Sequence, residues 1–303
     1  MKLAHIKVML AVADSGSLRS AGRHLGIAQP VITRSIRELE HELGVSLFER
    51  HTRGVRLTPM GEVFLRRARA LDAELRHARE EIAQMRGSNV GEVTIALSTA
   101  SCMGLLPPAI AAFTKRYPDV TVKILESLFQ PVENEVERGE IDLWVGPLDP
   151  TSESSRFIVE ELFTNYRRVV ARKGHPLAGA KSLHELVDAR WVRPTLSTRT
   201  TEADFEAIFE DAGLPLPRIA VHSRSSLITV LTVANTDLLT FLPQQWIDFA
   251  PMKDLFQALD IVEIAAPMCI VRRNGLPLTP VAEYLSDLIR KAALNYEHYR
   301  AKT

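Results

Sequence analysis

The chain reads as an N-terminal all-α winged helix-turn-helix, a long linker helix and a C-terminal α/β body in two lobes. Three observations predict this. Two short amphipathic patterns joined by a turn are followed by a short basic hairpin. From Phe64 to Met85 apolar residues recur about every 3.5 positions. From Glu92 onward, strand and helix patterns alternate in two successive runs. A length of 303 residues exceeds one typical domain, and a hydrophobic content of 46% supplies full cores without disulfide or metal staples.

Residues 2–14 form the first predicted helix, with Leu3, Ile6, Leu10 and Ala13 on one face, and Asp14-Ser15-Gly16-Ser17 ends it. In the next helix Leu18, Ala21, Gly22 and Leu25 share a face, Ser17 is placed to cap it, and Gly26 suits a left-handed stop. The third opens with Gln29-Pro30, proline suiting a first helical turn. Its inward row is Ile32, Ile36, Leu39 and Leu43; its outward row is Gln29, Thr33, Arg34 and Arg37. Amide, hydroxyl and guanidinium groups on the outer face of a second helix are what reading a major groove requires. An ordinary helix pair with a solvated face would look the same, so the neighbourhood decides. Leu47–Arg50 and Val55–Leu57 read as strands joined by a turn at 51–54, a hairpin carrying Arg50, Arg53 and Arg56. A basic wing directly after the candidate recognition helix can touch backbone or minor groove. The helix-turn-helix thus spans 18–37 within a domain of residues 1–60.

Formal net charge is zero, yet residues 1–90 carry fifteen Lys and Arg against ten Asp and Glu, and the remainder is acidic by the same margin. A basic head on an acidic body places a polyanionic partner at the N-terminus.

Thr58-Pro59 caps a predicted helix running to about Arg86. Phe64, Ala68, Leu71, Leu75, Ala78, Ile82 and Met85 follow one another at alternating steps of four and three, with Arg and Glu elsewhere. That is a coiled-coil seam, so 61–90 is expected to be a dimerisation helix and hinge, with Phe64, Leu71, Leu75 and Ile82 in the interface.

Residues 91–303 follow as the two-lobed body: about 91–163 plus 267–303, and about 164–266. The first run is strand Val93–Leu97, helix Leu105–Arg116, strand Val120–Glu126, helix Pro131–Arg138 and strand Ile141–Val145. The second has strands at Tyr166–Ala171, Trp191–Arg193, Arg218–His222 and Leu238–Phe241, with helices near Glu202–Ala212 and Ser226–Ala234. The alternation implies parallel sheets with crossover helices, and ligands in such folds sit outside the C-terminal strand ends. Ser98, Thr99 and Ser101 at one strand-to-helix junction, and Thr195, Thr198 and Arg199 at its counterpart, are the candidate ligand-binding groups of an interlobe cleft. Plain N-capping explains either junction alone; their matching placement favours a site.

Enzyme signatures are absent from the sequence: no GxGxxG, Walker loop, GxSxG or HExxH. The nine histidines are scattered, and Cys102 and Cys269 lack metal-ligand spacing. No bound metal or cofactor is expected. No apolar leader or membrane-length run is present, so a cytoplasmic protein without membrane association is expected.

The series Gly16-Ser17-Leu18, Ala21, Leu25, Gln29-Pro30, Ile36, Leu39-Glu40, Leu43-Gly44, Leu47-Phe48-Glu49-Arg50 and Leu57-Thr58-Pro59-Met60-Gly61 resembles the LysR-type transcriptional regulators. The resemblance covers the whole chain and is strongest over residues 1–65. It implies that Gln29, Pro30, Thr33 and Arg34 face the groove, that Arg50 and Arg53 are wing contacts, and that 92–303 is a periplasmic-binding-protein-like effector domain. It further implies a homotetramer, a dimer of dimers, that binds double-stranded promoter DNA and responds to a small-molecule effector; the hydroxyls at the two helix starts favour a small organic acid or hydroxylated metabolite. RNA polymerase is the candidate further partner at a promoter. Two residues depart from the family pattern: Ala28 stands where Ser is frequent before Gln-Pro, and Gly22 where Ala is usual. The expected function is a ligand-responsive transcriptional regulator. The alternatives are a two-lobed solute-binding protein, which would leave residues 1–60 without purpose, and a cytosolic enzyme with a DNA-binding appendage.

Overall fold

The computed structural model describes residues 1–51, 54–149, 155–194 and 201–300, without the side chains of Arg50 and of residues 201–204. The chain divides into two compact units, Met1–Ser88 with Arg138–Glu140, and Asn89–Glu137 with Ile141–Thr303.

The first unit begins with three helices, α1 (Leu3–Ser15), α2 (Leu18–Leu25) and α3 (Gln29–Leu43). The Ser17 hydroxyl accepts from the Ser20 N–H at 3.4 Å, capping α2, and Gly26 at φ 67° ends it in the left-handed region. At the start of α3, Ala28 offers no side-chain cap. The face predicted for α1 is rotated. Leu3 is 48% exposed, while Met9 and Val12 are fully buried and Val8 nearly so. Ile32, Ile36 and Leu39 of α3 turn inward as predicted, but Leu43 is 39% exposed, because the helix outlasts the core it covers.

Strands β1 (Phe48–His51) and β2 (Gly54–Leu57) pair antiparallel as the wing. The Val55 N–H donates to the Gly16 carbonyl at 3.0 Å, docking the wing on the α1–α2 turn. Gly54 permits that approach, since a Cβ there would lie 2.4 Å from the Gly16 oxygen. Helix α4 (Pro59–Met85) is capped by Thr58, whose hydroxyl accepts from the Gly61 N–H at 2.9 Å and donates to the Ser46 carbonyl at 2.7 Å. Its first turns complete the core around Met9, Val12, Ala21, Ile32, Leu39 and Leu47, with Phe64 and Leu65 packed against it. Phe64 therefore belongs to the domain's own core rather than to an outward seam. Leu75 is half-buried beside Leu10, Ala11 and Leu25 of α1 and α2. Farther along, Leu71 (49%), Ile82 (60%) and Met85 (77%) stand exposed.

The second unit is built on strands β3 (Gly91–Leu97), β4 (Val120–Glu126), β5 (Leu143–Pro147), β6 (Phe157–Arg172), β7 (Arg190–Pro194), β8 (Arg218–Ser223), β9 (Leu238–Pro243) and β10 (Phe256–Arg273). Its helices are α5 (Thr99–Gly104), α6 (Leu106–Arg116), α7 (Phe129–Glu137), α8 (Thr201–Asp211), α9 (Ser226–Ala234), α10 (Gln244–Asp248) and α11 (Pro280–Arg300). Strand order is β4-β3-β5-β10-β6-β9-β7-β8. The β3–β4, β3–β5, β7–β8 and β7–β9 pairs are parallel, whereas β10 runs antiparallel to β5 and β6, and β6 antiparallel to β9. The expectation of purely parallel sheets is thereby corrected. β6 and β10 are long enough to serve both lobes, and their register breaks between Ala265 and Met268, where they pass from one lobe to the other. The helix predicted over Leu105–Arg116 is α6, and a separate short helix, α5, precedes it, the two meeting at Leu105.

Each lobe has its own core. The first packs Ile95, Leu97, Phe113, Leu143 and Ile270 against Leu285 and Ile289 of α11. The second centres on Trp191, stacked on Phe241 at 5.4 Å and edge-on to Phe205 and Phe209. Side chains of this kind contribute about 1.5–3 kcal/mol each on burial.

Candidate nucleic-acid interface and interlobe cleft

Gln29, Pro30, Thr33, Arg34, Arg37, Glu38 and His41 line one continuous open face of α3. Gln29, Pro30, Arg34 and Arg37 are exposed and Thr33 is half-buried. The Thr33 hydroxyl donates to the Gln29 carbonyl at 3.0 Å, so its oxygen lone pairs and methyl group point the remaining chemistry outward. Arg34 Nε donates to Glu38 Oε1 at 2.7 Å, one turn on. That bond, with the charge of Arg34, holds the Glu38 carboxyl below the usual carboxylate range. Periodicity had placed the four outward residues on this face; Glu38 and His41 share it and had not been singled out. Among the wing residues, Arg53 and the side chain of Arg50 lie outside the described residues, while Arg56 is exposed.

The wing is held to α3 by Glu40, whose Oε1 accepts from the Leu47 N–H at 2.7 Å and the Phe48 N–H at 3.1 Å. One carboxylate therefore ties the helix that carries the face to the strand that starts the wing. The signal was legible only as a motif position; nothing in helical periodicity says that a half-buried Glu collects two amides. Gly22 also finds its reason. A Cβ there would lie 2.7 Å from the Ile27 carbonyl oxygen, because the α2–α3 turn folds back onto α2, with the Ile27 N–H donating to the Gly22 carbonyl at 2.9 Å.

In the second unit, the β3–α5 junction divides its hydroxyls between two tasks. Ser98 and Ser101 are 3% and 0% exposed, their oxygens 3.0 Å apart. Ser98 Oγ accepts from the Ser101 N–H at 3.3 Å, and Ser101 Oγ donates to the Met268 sulfur at 3.1 Å. These two expected ligand groups cap and brace the helix from inside. Thr99 differs: its hydroxyl donates to Glu126 Oε1 at 2.5 Å and lies 3.1 Å from the hydroxyl of Ser226, at the start of α9 in the other lobe. Thr99 thus marks where the lobes meet at their helix starts, with Glu126 and Ser226 as partners unanticipated from sequence. Ser225 caps α9 through the Ile228 N–H at 3.4 Å. Thr195, Thr198 and Arg199 lie outside the described residues.

Cys102 is half-buried, its thiol pushed up to about 11 by burial and by the charge of Glu126, and buried Cys269 is pushed up to about 12 by burial first. Both thiols are protonated at neutral pH, so neither is a ready nucleophile. Among the described residues, no group of His, Cys, Asp and Glu could hold a metal ion, and no helix is long and apolar enough to cross a membrane.

Two family models match the chain. Residues 3–62 match the bacterial regulatory helix-turn-helix protein, lysR family, and residues 86–294 match the LysR substrate binding domain. The chain is 30% identical over 243 residues to the HTH-type transcriptional regulator GbpR of Azospirillum brasilense, spanning 79% of this chain and 71% of that one. It is 27% identical over 292 residues to the regulator GalR of Pseudomonas putida, 94% and 72% of the two chains. Among solved structures, full-length CbnR complexed with its target DNA matches with a TM-score of 0.70 at 21% identity, covering 96% of this chain and 100% of that one; at that identity it is the fold that is shared. With the helix-turn-helix, the wing and the two-lobed body all in place, the chain belongs to the LysR family of DNA-binding transcriptional regulators and is not an enzyme.

Proposed function

We propose that this regulator binds promoter DNA in the cytoplasm as a two-fold homodimer, or a dimer of such dimers, and alters its hold when a small hydroxylated molecule enters the interlobe cleft. The observation that carries the reading is the outer face of α3, which gathers Gln29, Thr33, Arg34 and Arg37 on a helix whose other side is locked into the core. In a two-fold dimer, two such helices enter successive major grooves about 34–36 Å apart. Arg34 pairs with guanine, Gln29 with adenine, and the Thr33 methyl and oxygen lone pairs suit thymine or a base-edge donor. Lys and Arg contacts to phosphate add affinity that falls with salt.

The exposed Leu71, Ile82 and Met85 on α4 support the dimer, since an apolar row on an otherwise charged helix favours a partner helix. In the cleft, the Glu126 carboxylate beside Thr99 disfavours a second carboxylate there, so of the two effector classes the hydroxylated metabolite suits the described residues better. RNA polymerase is the candidate partner of the promoter-bound form.

The test is an electrophoretic shift on the protein's own upstream DNA with Arg34→Ala and, separately, Leu71→Glu with Ile82→Glu. Arg34→Ala should relax preference at one base of each half-site, and unchanged preference refutes its role. The double Glu variant should sediment as monomer and lose the shift; retention of the native oligomer refutes the α4 interface.

A further inference from the structure

We propose that Glu38 is a positioning residue for base reading: it sets the guanidinium of Arg34 in one orientation, and is itself held by buried His5. The proposal rests on the reading of Arg34 as a base contact. Arg34 is 82% exposed, and a side chain that free would sample many rotamers before meeting DNA. Here its Nε is already committed, donating to Glu38 Oε1 at 2.7 Å. The other carboxylate oxygen, Oε2, lies 3.4 Å from Nε2 of His5, on α1. His5 is 7% exposed, so its ring borders the carboxylate from the core side while Arg34 extends from the solvent side.

The consequence is geometric. With Nε occupied, the side edge of the guanidinium is closed, and the terminal Nη1 and Nη2 groups remain to pair with O6 and N7 of guanine. Prior fixing of the fork lowers the ordering cost of that contact. Glu38 also places a negative charge on the DNA-facing surface, which lowers affinity for any duplex through phosphate repulsion. A residue of this kind sharpens selectivity while weakening indiscriminate binding, and its removal should separate the two.

The experiment selects binding sites from a random-duplex library with the full-length chain, then measures binding of single-base variants of the selected site and of an unrelated duplex. Arg34→Ala should reduce discrimination at one guanine by about tenfold. Glu38→Ala should reduce it at that same guanine by about threefold to tenfold. It should leave binding of the unrelated duplex equal or tighter, and leave the melting of the N-terminal unit unchanged. Glu38→Gln, which retains an acceptor for Nε, should restore most of the discrimination, and Arg34→Ala with Glu38→Ala should be no less selective than Arg34→Ala alone. If Arg34→Ala leaves the preference intact, the base-reading role of Arg34 is wrong and the proposal falls with it. If Arg34→Ala relaxes the preference and Glu38→Ala does not, the proposal alone is overturned. Equal weakening on every duplex by Glu38→Ala, or a change at a different base that persists without Arg34, overturns it too, in favour of a structural role or a direct base contact.

Discussion

In the N-terminal unit Glu40 ties the start of the wing to α3, and Glu40→Ala tests how far the wing depends on it. The carboxylate accepts two backbone amides, from Leu47 at 2.7 Å and Phe48 at 3.1 Å. Hydrogen bonds to a charged acceptor contribute about 1.5–3 kcal/mol each. Glu40 is only half-buried, so water can recover part of that loss, and a net cost of about 2–4 kcal/mol is the working figure. For a domain of this size, 1 kcal/mol moves the melting midpoint by roughly 4–8 °C, which predicts a fall of about 8–32 °C. The assay can isolate the unit, because Trp144, Trp191 and Trp246, the three tryptophans of the chain, all lie in the second unit. Far-ultraviolet circular dichroism follows both units, whereas tryptophan fluorescence follows the second. The part of the helix signal lost with the N-terminal unit should move down while the fluorescence transition stays. Glu40→Gln keeps an acceptor and should cost about 1 kcal/mol. A shift of the helix transition by less than about 4 °C in Glu40→Ala would show that the two amides are satisfied without the carboxylate.

Two further outcomes concern the entrance to the recognition helix. Ala28→Ser supplies the missing cap of α3 and should stabilise the N-terminal unit by about 0.5–2 kcal/mol, read as a higher midpoint of the same helix transition. No rise would mean that the first-turn amides already have adequate partners. Gly22→Ala sets two effects against each other: alanine favours helix by about 1 kcal/mol, but its Cβ would sit 2.7 Å from the Ile27 oxygen, and overpacking of this sort costs about 1–3 kcal/mol. The contact is to backbone, which yields less readily than a side-chain tip, so a net loss of up to about 2 kcal/mol is expected; a stabilised protein would show that the turn relaxes freely.

The helix-turn-helix was legible because α2 and α3 are amphipathic and their stops, Gly26 and Gly44, are marked in the sequence. α1 was legible as a helix but not in its orientation. Apolar residues occupy Val8, Met9, Leu10, Ala11, Val12 and Ala13 in an unbroken run, so periodicity cannot choose a face, and packing on α2 and α3 does. Of the long strands, β6 was recognised only over Tyr166–Ala171, and β10 was missed. A strand that changes lobes changes which side is buried, and Glu160, Glu161, Arg167 and Arg168 dilute its apolar pattern. The hydroxyl cluster at Ser98–Ser101 was visible as chemistry. Which hydroxyl faces the other lobe was not, because that depends on Glu126 and Ser226, far away in the chain. Glu38 was visible as an opposite charge one turn from Arg34, yet its hold on buried His5 required α1 to be in place.

These anchors are unevenly distributed along α3. Its C-terminal half is fixed by Ile36 and Leu39 in the core and by Glu40 on the wing. Its first turn, which carries Gln29, Pro30 and Thr33, lacks a side-chain cap and is held by Ile32 and by the backbone bond from Val31 to Ala28 at 2.9 Å. The reading groups therefore fall into two classes. Arg34 is oriented before DNA arrives, while Gln29 and Thr33 sit on the turn with the fewest restraints, where adjustment to a base sequence costs least. Selectivity should accordingly be steep at the base read by Arg34 and more tolerant at those read by Gln29 and Thr33. A cap at position 28 should narrow that difference, because it stiffens the turn and leaves the Arg34 anchor untouched.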